Sequence, residues 1–505
     1  MTVYNFNLGI GWASSGVEYA QAYRAKVLRK IAQPAKFVFT DLILSENIEH
    51  LTQNIGFKDD EVIWLYQFFT DIKISPTTYT RAQLEKSIRF KQRKGVVEAV
   101  GEKAIRYSFP AEHKFVTAFL KEKGGQVVER AEHVSHDYLI RKDYFTYTKL
   151  FSEYYTPRDK RAYVYQRRFF NEDGSIAYEQ LVDGKDELYR FSDALLYSKT
   201  DLVRFFMQRL QLTCKDVIIL DRATEIGQTI FRNHGRAKLG VVIHADHFSE
   251  NASTDTNIFW NNYYEYQFDN AQAVSFFITA TAAQNKLMKK QFKQYYNYVP
   301  KIASIPVGSL SKLRHPQTKR KPYSLLTASR LATEKHVDWL IYAVVAAHKI
   351  IPELNFDIYG KGSEEVKLKK LIIQQNATSY IRLKGHQDLT NIYQEYEAYL
   401  SASTSEGFGL TLLEAVGSGL PLIGLDVRYG NQTFIRNNKN GFLIPFTEDE
   451  KLALTIAHLT NKIVELFTKS ELKNFQQASY QIGKLFLTSE VEKKWQDLLG
   501  ELKND

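Results

Sequence analysis

The sequence predicts an α/β protein made of two parallel-sheet halves, the first interrupted by an antiparallel β-rich insert. Two observations point to the halves and one to the insert. Short apolar runs that end in glycine loops alternate with helix-period segments over residues 1–76 and again from about 200 onward. Between residues 77 and 199 Tyr and Phe become dense and charged residues alternate with apolar ones. Within that stretch Gly124-Gly125, Asp173-Gly174 and Asp183-Gly184 separate alternating runs, which is a hairpin signal.

In chain order, Val3–Leu8 reads as a strand, followed by a loop with Gly9, Gly11 and Gly16. Val17, Ala20, Val27 and Ile31 then recur at helical spacing. Lys36–Leu42 and Val62–Phe69 read as further strands. The insert is a meander with strands at Phe115–Leu120, Gln126–Arg130, Tyr138–Arg141, Ala162–Phe170 and Ile176–Gln180. Parallel texture resumes at Val217–Leu220 and Gly240–Ile243, and a polar, aromatic loop spans Asn251–Tyr266. Ser275–Ala280 is a strand, Gln284–Gln294 a basic helix, and Ile302–Val307 closes this half. Ser309–Pro322, polar and basic with two prolines, reads as an inter-domain linker. In the second half, strands are expected at Ser324–Thr327, Asn355–Tyr359, Tyr380–Lys384, Ala398–Ala402 and Pro421–Gly424. Helices are expected at His336–Ile350, Val366–Gln375 and Leu389–Glu397. The resulting domain boundaries are 1–76 and 200–312 for the first Rossmann-like domain, 77–199 for the insert, 313–490 for the second domain and 491–505 for a terminal helix.

Composition narrows the function classes. The 505 residues are 44% hydrophobic, enough for two or three domains with sizeable cores. With 67 basic and 57 acidic residues the net charge is +10, which favours an acidic partner: a nucleoside diphosphate, a nucleic acid or an anionic lipid surface. A single cysteine, Cys214, excludes an intrachain disulfide framework and fits a reducing compartment. Its place beside the apolar run Val217–Leu220 predicts a buried structural thiol. The opening residues lack a signal-peptide pattern, and no run is apolar enough to span a bilayer, so a cytoplasmic protein is expected. The basic excess leaves peripheral contact with a membrane open.

The densest chemical signal is Glu406-Gly407-Phe408-Gly409 followed by a short apolar helix carrying Glu414. Gly407 and Gly409 permit a tight turn and close backbone approach. The helix start offers unpaired N–H groups that suit a diphosphate, and carboxylates beside it accept hydrogen bonds from sugar and ribose hydroxyls. Arg330 and Lys335 follow the strand Ser324–Thr327; two cations there can neutralise a diphosphate leaving group without a metal. Gly385, His386 and Gln387 follow another strand, where they can meet a base or phosphate. In the first half the loop Gly9-x-Gly11-x₄-Gly16 departs from the dinucleotide fingerprint, yet with Gly16, Val17, Glu18 and Tyr19 at a helix entry it can approach a nucleotide sugar. His244, at the end of an apolar strand, can hydrogen-bond a sugar hydroxyl. His244, Asp246 and His247 also permit a metal reading, but no further His/Cys cluster completes the shell and no Asp-x-Asp follows a strand.

Together Glu406-x₇-Glu414, Arg330, Lys335, the glycine loop and His244 resemble the retaining glycosyltransferases of family 4 over residues 1–70 and 200–505. The resemblance implies a GT-B fold, two Rossmann-like domains facing a cleft. It places Glu406 by the donor sugar, Glu414 on the ribose, and Arg330 and Lys335 on the diphosphate. Ser329 and His336 stand where that family commonly has glycine, and Thr411 where it commonly has proline. With the insert and the amino-terminal Val3–Asn7 and Gly11–Tyr19 segments, the whole chain resembles the catalytic subunits of bacterial accessory-Sec glycosyltransferases. That narrower resemblance implies transfer of N-acetylglucosamine from UDP-GlcNAc to Ser/Thr of serine-rich repeat adhesins, with a GtfB-like co-subunit; the missing Asp-x-Asp and the two cations predict that no metal cofactor is used. The residues themselves leave two other readings open: a GT-B enzyme with a lipid or glycan acceptor, and a non-catalytic binding protein on this fold.

Overall fold

The computed structural model describes residues 1–12, 15–159, 161–447, 449 and 451–504; Ala13 and Ser14 of the expected glycine loop, and Asp505 of the expected 491–505 helix, lie outside the described residues. The chain divides into two compact units, Met1–Val241 with Glu265–Val274, and Val242–Tyr264 with Ser275–Asp505.

In the first unit Val62–Trp64, Ala35–Phe39, Val3–Asn7, Val217–Leu220 and Lys238–Ile243 lie side by side, all parallel. These runs are short and apolar because both sheet faces are covered: Phe6, Phe37, Val38, Ile218 and Ile219 are fully buried. The strand expected over Val62–Phe69 stops at Trp64, where the N–H groups of Gln67 and Phe68 turn back onto the Trp64 carbonyl. The helix Gly16–Lys30 starts on a capping box in which Ser15 and Glu18 satisfy each other's backbone N–H groups. Arg24 of this helix is buried and bidentate on Asp221.

The insert is a ten-stranded antiparallel sheet running in simple meander order from Val96–Gly101 to Leu195–Leu196. Gly174 and Gly184 turn their hairpins at positive φ, as the sequence signal requires. The sheet is packed into the unit by aromatic side chains: Tyr66 stacks on Phe169, Trp64 meets Phe151, and the Tyr178 hydroxyl donates to the Tyr66 carbonyl.

The second unit holds a six-stranded parallel sheet in the order Ile381–Gly385, Asn355–Tyr359, Ser324–Ala328, Ala398–Ser401, Leu422–Leu425, Gly441–Ile444. The chain starts in the middle, builds outward one way, then returns to build the other way. The switch point therefore lies between Ser324–Ala328 and Ala398–Ser401, the position where open α/β sheets bind ligands. A core of Leu325, Leu340, Phe356, Leu400, Ile423 and Leu459 fills one face.

Three expectations are corrected. Cys214 is exposed, because it sits in the turn that Thr213 and Asp216 close before the strand. Leu389–Glu397 forms only a 3₁₀ turn at Tyr393–Glu395, since Tyr393 and Tyr396 plunge into the core and bond Glu414 and Asp357. Ser309–Pro322 is no loose linker: Leu310 and Arg314 donate to the carbonyls of Phe486 and Gly417, and buried Arg320 fans onto the carbonyls of Gln394, Tyr396 and Ser418. The terminal helix Thr488–Asn504 reaches Lys301 and Ser304 through Glu501 and Lys494. Among the described residues no helix is long and apolar enough to cross a membrane.

Candidate active site

The site grows from strand ends at the switch point of the second unit. After Ser324–Ala328 the chain turns through Ser329 and Arg330 into a 3₁₀ turn, Thr333–Lys335, and then the helix Val337–His348. The approach is tight: a side chain at Gly360 would lie 1.8 Å from the Ser329 carbonyl, and one at Gly362 2.2 Å from that of Leu331. His336 adopts φ of 44°, a left-handed conformation that glycine adopts freely. It is supported by stacking of its ring on Trp339 at 3.8 Å. The departure from glycine is thus accommodated locally.

Past Ala398–Ser401 comes the glutamate segment. The Glu406 carbonyl accepts the N–H groups of Tyr429 and Gly430, both at 2.7 Å. Gly409 enters the helix Leu410–Gly417 at φ of 88°, and a side chain on Gly407 would sit 3.0 Å from the His244 carbonyl. Phe408 is buried against Phe434 and Phe486. Thr411 bonds the hydroxyl of Tyr399, which also donates to the Ala328 carbonyl. Thr411 thereby ties the glutamate helix to the strand that ends beside Arg330, a link no proline could make.

The structure brings Lys335 and Glu406 together: Nζ lies 2.7 Å from Oε2, and both side chains are about four-fifths buried (18% and 21% exposed). Arg330 stays on the surface, 2.9 Å from Glu334. Glu414, in the second turn of its helix, accepts a hydrogen bond from Tyr393 at 2.9 Å. Burial pushes its carboxyl above the usual range, while the Tyr393 hydroxyl and Arg314 pull it back. His386 and Gln387 are exposed in the loop after Ile381–Gly385.

His244 leads a loop that belongs to this same unit. The Tyr264 hydroxyl accepts from the N–H groups of His244 and Ala245, and Gln284 donates to the Ala245 carbonyl. His247 is fully buried, with Nε2 2.7 Å from Gln291 and Nδ1 3.0 Å from the Tyr429 hydroxyl. Burial drops its pKa to about 4, and Arg428 adds to the drop. Since both ring nitrogens are engaged, the set His244, Asp246 and His247 lacks a third metal ligand; among the described residues no group of three or more His, Cys, Asp and Glu could hold a metal ion.

Gly16, Val17, Glu18 and Tyr19 lie in the first unit. Glu18 is buried and used internally, accepting from Ser15 N–H, Asn7 and Arg222, whereas Tyr19 is exposed. Sequence reasoning passed over Tyr429 and Tyr393, and singled out Ser329 only as a departure from glycine; its buried hydroxyl has no hydrogen-bond partner. The available signal was the polar Asp426–Gly430 stretch after the apolar strand Leu422–Leu425, a strand-end loop like those already singled out.

Residues 97–193 match the family described as GtfA extended beta-sheet domain, and residues 311–478 match Glycosyl transferases group 1. The chain is 57% identical to the UDP-N-acetylglucosamine--peptide N-acetylglucosaminyltransferase GtfA subunit of Streptococcus gordonii, over 100% of this chain and 99% of that one. It superposes on a chain of the crystal structure of a GtfA/B complex with a TM-score of 0.96 and 56% identity, covering 100% of both. It also superposes on the pneumococcal O-GlcNAc transferase GtfA in complex with UDP and GlcNAc, with a TM-score of 0.91 and 51% identity, covering 100% of this chain and 99% of that one. The fold is GT-B with a β-rich insert, and the chain belongs to the GtfA subunit family of peptide N-acetylglucosaminyltransferases.

Proposed function

We propose that this protein transfers N-acetylglucosamine, with retention, from UDP-GlcNAc to Ser/Thr hydroxyls of a serine-rich repeat adhesin, as the first step of its O-glycosylation. It does so in the cytoplasm, with peripheral membrane contact and as the catalytic half of a complex with a GtfB-like subunit. Transfer from UDP-GlcNAc to peptide is the activity named for its relatives, and a GtfA/B complex is the solved assembly its chain matches end to end. The observation that carries the mechanism is the Lys335–Glu406 pair at the switch point, with the His244 loop packed on Gly407 and Arg330 exposed in the turn that leads to Lys335.

Arg330 and Lys335 oppose the negative charge that grows on UDP as the anomeric carbon–oxygen bond breaks. The acceptor hydroxyl oxygen forms the new bond, and its proton leaves with the departing phosphate. Glu406 and His244 bracket the sugar, and Glu414 accepts the ribose hydroxyls, which replace hydrogen bonds that burial denies it. The metal-free reading is supported by Arg330 and Lys335, two cations that can neutralise a diphosphate without a metal. The basic excess, a net +10, suits an anionic membrane face.

Intact-mass measurement of a Ser/Thr-rich peptide incubated with the complex and a panel of UDP-sugars, with and without EDTA, tests the reading. The expected result is a mass gain of one N-acetylhexosamine from UDP-GlcNAc, unchanged by chelation. Transfer restored only by a divalent ion would overturn the metal-free account, and modification from another donor would overturn the sugar assignment.

A further inference from the structure

We propose that Tyr429 is a positioning residue for sugar transfer, whose phenol clasps the loop carrying His244 to the segment carrying Glu406. The inference rests on the reading of His244 and Glu406 as the pair that brackets the donor sugar. Tyr429 acts on both through different atoms. Its backbone N–H, with that of Gly430, holds the Glu406 carbonyl at 2.7 Å, and the Glu406 N–H donates to the Arg428 carbonyl at 3.3 Å. Its side chain, 1% exposed, reaches the other way and bonds His247 Nδ1 at 3.0 Å. The two rings lie nearly parallel, with centroids 5.9 Å apart.

His247 follows His244 by three residues and transmits the grip. Its Nε2 faces the side-chain amide oxygen Oε1 of Gln291, so Nε2 donates and Nδ1 is left to accept the phenol proton. Gln284 and Tyr264 hold the same loop from its other side, at Ala245 and His244. Further links join the two segments: Arg428 pairs with Glu250 at 3.2 Å and lies over the Phe248 ring, the Asp246 carboxylate faces the Tyr429 phenol, and Ser405 Oγ lies 3.5 Å from Asp246 Oδ2. Glu406 and His244 are thus placed by one rigid bracket rather than by two independent loops. Phenylalanine would fill the same core volume, so the phenol oxygen itself carries the positioning role. A displacement of about 1 Å at reacting groups can cost on the order of 100-fold in rate.

The test uses the chain in complex with its partner subunit. Tyr429→Phe should lower kcat by about 10- to 100-fold while leaving UDP affinity unchanged. His247→Asn keeps an acceptor near the Nδ1 position, whereas His247→Gln keeps a polar group near Nε2 only. His247→Asn should therefore retain more turnover than His247→Gln, and Tyr429→Phe combined with His247→Gln should be no worse than either alone. Denaturation midpoints identify the folded variants, and Glu406→Gln and His244→Ala serve as references. Wild-type kcat in Tyr429→Phe beside impaired references would overturn the clasp alone. Intact transfer in both references would overturn the reading of the site, and the inference with it. A loss of UDP affinity as large as the loss of turnover would also overturn it, as would equal turnover in His247→Asn and His247→Gln.

Discussion

At the scale of single residues, the two cations proposed to face the donor diphosphate are held differently. Lys335 is largely buried against Glu406, whereas Arg330 is exposed and leans on Glu334. Removing one electrostatic donor of this kind typically costs on the order of 10²–10³ in turnover. Arg330→Ala and Lys335→Ala should both lose most activity, and Lys335→Ala should lose more because it also leaves the Glu406 carboxylate without its cation. Steady-state kinetics with UDP calorimetry checks this; a variant with wild-type turnover and wild-type UDP affinity would remove its residue from the mechanism. His247 makes a separate statement about stability. Its pKa falls from 6.5 to about 4 on folding, so between those values the unfolded chain binds more protons and stability rises with pH. The contribution is complete above pH 6.5 and is lost as pH falls toward 4, worth about 3 kcal/mol at its full extent. Urea unfolding from pH 7.5 to 4.5 should show that slope, and His247→Asn should flatten it. An equally steep slope in the variant would assign the acid sensitivity to other groups.

At the scale of elements, the glutamate segment keeps its shape because the Gly430 and Phe408 backbones and the Glu406 side chain crowd one point. A side chain at Gly430 would meet the Phe408 carbonyl at 2.3 Å and Glu406 Cγ at 2.9 Å. The carbonyl is backbone and cannot swing aside. Gly430→Ala should therefore destabilise the protein by about 1–3 kcal/mol or more, the usual cost of overpacking, and should displace Glu406. A lower denaturation midpoint together with reduced turnover is the expected pair of results; a variant equal to wild type in both would show that the turn yields. The insert obeys the same logic on a larger element. Its sheet is anchored by Tyr66, Trp64 and Tyr178, so excising it would strip the first unit of part of its core.

At the scale of the molecule, the insert's outer surface is where a partner is expected. Tyr163 and Tyr165 project from one strand, 41% and 44% exposed; Ile176 is exposed on the strand beside it, and Tyr138 and Ile140 on the strand two places away on the other side. Apolar and aromatic groups left in water at this density mark a binding surface. Replacing Tyr163 and Tyr165 by Ser should abolish co-elution with the GtfB-like subunit while UDP binding persists. Unchanged co-elution would place the partner elsewhere.

Much of this protein was legible in its sequence. The alternation of apolar runs and helix-period segments, the Asp-Gly hairpin turns, and Glu406, Glu414, Arg330 and Lys335 at strand and helix ends all follow from local pattern, because periodicity and turn chemistry act over a few residues. The long-range pairings needed the tertiary structure. Lys335 meets Glu406 across 71 residues, and Tyr429 meets His247 across 182. Arg320 buries itself on carbonyls up to 98 residues away, which converts a basic stretch that resembles a linker into a packed seam. Cys214 is exposed by a turn that the apolar strand beside it conceals. Local composition fixes which elements form, but only the packing of distant segments decides which polar groups finish buried against one another, since that is set by the register and order of the sheets.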